Sequence, residues 1–156
     1  MRNWNEKVRG DDTVYILGDL FYGSRNKAHI ETILQQLKGR KHLITGNHDS
    51  FWMMSIDISK YFLSVNTLLE TSLDGFGMTL CHYPMVTWRH QAKAFMIHGH
   101  IHNDTKMDYW PLLVSRERVL NASVDINGFA PVTFEELLEN NRRWKEKHNS
   151  LESVNE

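Results

Sequence analysis

His42-Leu43-Ile44-Thr45-Gly46-Asn47-His48-Asp49 joins a short apolar, β-branched run to a turn carrying an amide, an imidazole and a carboxylate. The run predicts a buried strand, and the glycine lets the backbone turn sharply at its carboxyl end. Upstream, the turn residues Gly10-Asp11-Asp12 lead into Thr13-Val14-Tyr15-Ile16-Leu17, a second such strand that closes on Gly18-Asp19. Between the two lies the segment Asn26 to Leu37. There Ala28, Ile30, Ile33, Leu34 and Leu37 approximate helical spacing, and Gly39 supplies a stop. Strand, helix and strand in succession imply a parallel pair with a right-handed crossover, and hence an α/β fold.

Working outward, Asn3 to Val8 reads as the end of a helix and Phe51 to Phe62 as a short helix. Val65 to Leu73 and Met78 to His82 read as strands flanking an Asp74-Gly75 turn. Ala94 to Ile97 is another buried strand, running into His98-Gly99-His100-Ile101-His102, and Arg118 to Val124 is one more. Thr133 and Glu136 form a capping box for a helix to Lys147, with Phe134, Leu137, Leu138 and Trp144 as its apolar face. His148 to Glu156 is polar and expected to fray, and residues 1–156 are expected to form a single domain.

Composition narrows the class. The chain has 156 residues, 41% of them apolar, which suffices for one real core. A net charge of −1 lacks the electrostatic footprint of a general nucleic-acid binder. Cys81 is the only cysteine, which excludes an internal disulfide and fits a reducing compartment, so a cytoplasmic location is expected. No apolar stretch approaches the roughly 20 residues of a membrane helix, and the opening residues lack the apolar core of a secretory signal.

Four polar turns each follow an apolar run: Gly18-Asp19, Gly46-Asn47-His48-Asp49, Cys81-His82-Tyr83-Pro84 and Gly99-His100-Ile101-His102. Carboxylate, amide and imidazole together are the ligand set of a divalent-metal site. Any one piece is weak, but all four in this order closely resemble the calcineurin-like metallophosphoesterase family, and the similarity runs through nearly the whole chain. The resemblance implies a four-layer α-β-β-α sandwich with two metals at the strand ends. It implies that Asp19 bridges both ions, that Asn47, His82 and His100 complete one site, and that His102 belongs to the other. Mixed ligation of this kind accepts Mn, Fe, Zn or Co. The implied activity is hydrolysis of phosphomonoesters or phosphodiesters by a metal-bound hydroxide, with His48 facing the phosphate and Asp49 orienting His48.

One departure stands beside these matches. Family members open with an Asp-x-His motif after a first strand, and no Asp-x-His precedes Asp19. The expectation is therefore a chain truncated at its amino end, lacking the first strand, with one competent metal site and one weakened site. A missing strand would expose a sheet edge and invite self-association. The alternative function is a non-catalytic scaffold of the same fold that binds protein.

Other residues have plainer readings. His98 is expected to be a hydrogen-bonded strand-end histidine, and His29 and His42 to lie at the surface or core edge. Trp88-Arg89-His90 either packs or receives the organic part of a phosphate ester, and Phe21-Tyr22 borders the pocket or merely excludes water. Met53, Met54, Ile56 and Ile58 read as core, and alternation turns Cys81 away from the face of His82.

Overall fold

The structure of the protein, a computed structural model, describes residues 1–73 and 75–152. After helix α1 (Arg2–Lys7), strand β1 (Thr13–Ile16), helix α2 (Lys27–Gln36) and strand β2 (Arg40–Ile44) form the expected parallel unit. Its register pairs Thr13 with Arg40 and Ile16 with Leu43. Asn26 caps α2 by accepting from the His29 amide at 3.1 Å. Strand β3 (Ser64–Asn66) adds in parallel to β2, giving a three-stranded sheet of order β1-β2-β3.

The second sheet has the order β4-β5-β6-β7. Strands β4 (Leu68–Leu73) and β5 (Phe76–Cys81) make an antiparallel hairpin, while β6 (Phe95–His98) and β7 (Val119–Asn121) join β5 in parallel. Asp74 of the hairpin turn lies outside the described residues, and Gly75 takes a φ of +83°, as a tight turn requires.

Period-two alternation distributes the apolar side chains into three layers of core. Ile16 and Leu43 face outward against Ile30 and Leu34 of α2 and against Trp52 and Phe62. Ile44 and the half-buried Leu17 face inward and meet Met78, Leu80, Phe95, Ile97 and Leu120 of the second sheet. The opposite face of that sheet presents Met96 and Val119 to Trp110 and Leu113 of helix α4 (Trp110–Val114) and to Trp144 of helix α5 (Phe134–Glu152). The result is helix, sheet, sheet, helix: the expected four-layer sandwich.

Local differences from the sequence reading have physical causes. Only Val119–Asn121 of the stretch Arg118 to Val124 is strand, because the Asn121 side chain bonds the Ser123 amide at 2.9 Å and turns the chain. Phe51 to Phe62 splits into helix α3 (Ser50–Met53) and one 3-10 turn (Ile58–Lys60). Helix α5 runs on to Glu152, and the His148 ring lies 6.0 Å from that of Trp110. Residues 153–156 lie outside the described residues. The capping box forms as read, with the Thr133 amide donating to Glu136 at 2.9 Å and the Glu136 amide to the Thr133 hydroxyl at 3.2 Å. Among the described residues, no helix is long and apolar enough to cross a membrane.

Leu43 has no exposed surface and sits where β2 meets α2. Leu43→Ala is expected to lower stability by about 2–5 kcal/mol, read as a shifted urea midpoint.

Candidate metal centre

Strands β1 and β2 are parallel in one sheet and β5 and β6 in the other, and the turns that follow these four strands meet. Asp19, Asn47, His82 and His100 are delivered there from four separate strand ends. The Asn47 amide oxygen lies 3.1 Å from His82 Nε2, the Asp19 carboxylate 3.3 Å from it, and His100 Nδ1 3.2 Å from it. Among the described residues, ligand atoms of Asp19, His82 and His100 lie within 4.8 Å of one another.

The chemistry of this donor set fits a cation. His82 is 2% exposed, and its Nδ1–H donates to the Leu17 carbonyl at 2.6 Å. That bond leaves Nε2 facing an amide oxygen, a carboxylate and a second imidazole. Acceptors crowded on one point repel unless positive charge sits among them, and Asp, Asn and His are oxygen and nitrogen ligands suited to a divalent ion. The His100 imidazole is held below its usual pKa, first by burial and then by the neighbouring His82, with Asp19 acting in the opposite sense.

The backbone that presents these groups is strained. Asp19, His100 and His102 occupy the left-handed region, with φ of 55°, 65° and 51°. Such conformations cost on the order of 1 kcal/mol or more for residues with a Cβ, and they cluster at functional sites. The turns also need their glycines. A Cβ on Gly46 would collide with the Asp19 carboxylate, and one on Gly18 would come within 2.6 Å of His82 Nδ1.

Asp49 does not do what the sequence reading expected. Its carboxylate is fully buried and accepts from the backbone amides of Gly46 at 2.7 Å, Asp19 at 2.9 Å and Leu20 at 3.1 Å, and from Trp52 Nε1 at 2.7 Å. All its bonds go to the two turns and to Trp52, so it binds the β1 and β2 turns to each other instead of orienting His48. His48 is exposed. Its amide donates to the Asp19 carboxylate at 2.8 Å, and its ring stands edge-on to Tyr22 with centroids 4.5 Å apart.

His102 stands apart from the convergent group. Its Nδ1 lies 2.7 Å from the Asp125 carboxylate, and its carbonyl accepts from the Asn121 side-chain amide at 2.7 Å. Asn121 is in turn fixed by Asn141, whose side chain bonds both its amide and its carbonyl. Asn121 carries no signal in the sequence, since an asparagine at a strand end has no distinguishing pattern. His98 meets its expectation: it is 1% exposed, 2.9 Å from the Gly99 carbonyl, with burial pushing its pKa down to about 4.

The profile of the calcineurin-like phosphoesterases matches residues 1–152, the whole of the sandwich. The chain belongs to the calcineurin-like phosphoesterase family. This calcineurin-like phosphoesterase is 28% identical to an uncharacterized protein of Methanocaldococcus jannaschii, over 86% of this chain and 69% of that protein. It is 30% identical to the gene 66 protein of Mycobacterium phage L5, over 74% of this chain and 75% of the phage protein. A crystal structure of a protein of unknown function from Aquifex aeolicus superposes with a TM-score of 0.66 at 26% identity, covering 86% of this chain and 79% of that one. Family membership makes this a metal-dependent phosphoesterase in general terms, with divalent metal ions as its cofactors.

Two consequences can be measured. Asp49→Asn replaces an acceptor of four bonds by a group that must turn an N–H toward buried donors, and about 3 kcal/mol of unfolding free energy is expected to be lost in chemical denaturation. The neutral His98 is favoured in the fold, so its contribution is complete above the unfolded value of 6.5 and is lost as pH falls from there toward 4. Wild-type stability is expected to fall by about 3 kcal/mol more than that of His98→Gln over this interval.

Proposed function

We propose that residues 1–152 form one phosphoesterase domain that hydrolyses phosphomonoesters or phosphodiesters at a centre held by Asp19, Asn47, His82 and His100. The observation that carries the proposal is the gathering of Asp19, Asn47 and His100 around His82 Nε2. A divalent cation bound there, such as manganese, supplies positive charge against phosphoryl oxygens and acidifies coordinated water. His102, steered by Asp125, serves a second cation position beside it.

His48 stands beside this centre with its backbone tethered to the Asp19 carboxylate and its ring edge-on to Tyr22. Its imidazole offers a hydrogen bond to the crowded phosphoryl charge or a proton to the leaving oxygen. Asp49 acts through the backbone, keeping the Asp19 and Asn47 turns in register with each other. Strand β1 lies at the edge of its sheet, which gives self-association a place to occur. The lone Cys81 supports a cytoplasmic location.

Manganese-dependent hydrolysis of an aryl phosphodiester or monoester is the expected result, with Asn47→Ala and His48→Ala each reducing kcat/KM by roughly a hundredfold or more. Circular dichroism of both variants establishes that they fold. Absence of hydrolysis at every manganese concentration would replace this reading by that of a non-catalytic scaffold.

A further inference from the structure

Beside His48 the surface opens into a cleft of about 250 Å³, lined chiefly by Tyr22, Ser24, Arg25, His48 and Phe51. Two of these are large aromatic rings left in water, Tyr22 at 76% exposed and Phe51 at 64%. Each follows or precedes a residue that is firmly core. Phe21 is 8% exposed and Trp52 1%, and their rings pack edge to face with centroids 5.1 Å apart. The segments carrying Tyr22 and Phe51 are thus anchored from beneath, and Trp52 is held further by Asp49. Exposed rings on anchored backbone form a preformed surface, since little ordering remains to be done when a flat ligand arrives.

Charge in the cleft points the same way. The Arg25 guanidinium lies over the Phe51 ring, 5.5 Å from its centroid. It makes no ion pair among the described residues. A planar cation beside two aromatic faces complements a ligand that is both aromatic and anionic. The Tyr22 ring meets His48 edge-on, so the aromatic surface continues directly into the residue nearest the phosphoryl position.

We infer that this cleft receives the base of a nucleoside phosphate, with Tyr22 and Phe51 as stacking faces and Arg25 as the counter-charge, while the phosphate passes His48 to the metal centre. The placement of the phosphate rests on the phosphoesterase reading; the preference for an aromatic group rests on the cleft alone. Stacking of a base on an exposed protein ring strengthens binding by roughly five- to a hundredfold.

Calorimetric titration of the intact protein in manganese with adenosine 5′-monophosphate and with ribose 5-phosphate separates the base from everything else in the ligand. The nucleotide is expected to bind about tenfold more tightly than the sugar phosphate. Tyr22→Ala and Phe51→Ala each remove most of that preference, the loss falling on the nucleotide rather than on ribose 5-phosphate. Both side chains are exposed, so neither truncation touches the core. Equal affinities in the wild type, no measurable binding of either ligand, or a preference that survives in both variants would overturn the assignment. A base preference without hydrolysis of any ester would instead overturn the phosphoesterase reading and leave this one standing.

Discussion

The buried carboxylate of Asp49 is the constraint on which the rest of the site depends. Two turns from strands β1 and β2 must lie side by side for Asp19 and Asn47 to face the same point, and both turns leave backbone amides pointing inward. An unpaired buried amide costs on the order of 1–3 kcal/mol, and three of them would favour a different loop arrangement. One ionised carboxylate satisfies all three and the Trp52 indole besides. Hydrogen bonds to a charged acceptor are roughly twice as strong as neutral ones, so the turns are locked before any ion arrives.

That lock holds the strained backbone of Asp19, and packing beneath the turns does the same for the rest. The left-handed residues Asp19, His100 and His102 sit at the ends of well-packed strands, where Ile16, Ile97 and Leu80 are buried among neighbours and leave the turns no room to relax. The two sheets contribute unequally. The first supplies the oxygen groups of Asp19 and Asn47, and the second supplies the imidazoles of His82 and His100. The Leu17 carbonyl, on the first sheet's strand end, fixes the tautomer of His82 from the second. The interface between the sheets is therefore also the seam of the candidate centre, and the inward-facing Ile44 and Leu80 lie in the core beneath it.

Much of this was legible in the sequence. The β1-α2-β2 unit could be read because Val14, Ile16, Ile30, Leu34 and Leu43 follow strand and helix periods closely, and because Gly18, Gly39 and Gly46 mark the turns. The convergent residues could be read because each follows such a strand. Helix α4 was not legible: Trp110–Val114 spans barely one turn, too short for a period to show, and its place is decided by Trp144 packing on it from far along the chain. The role of Asp49 was hidden for a related reason. Its sequence neighbour is His48, but its partners Asp19 and Leu20 lie about thirty positions away, and only the folded sheet reveals that the carboxylate points toward them. The aromatic cleft was half visible, since Phe21-Tyr22 reads as one unit until burial separates the two rings.

The asparagine lattice behind His102 has its own meaning. Asn121, Asn127, Asn140 and Asn141 bond one another and the chain around them through amides alone. None of these groups ionises, and contacts between neutral partners in the interior feel little ionic screening. The seat of the His102 backbone is thereby insulated from acidity and salt.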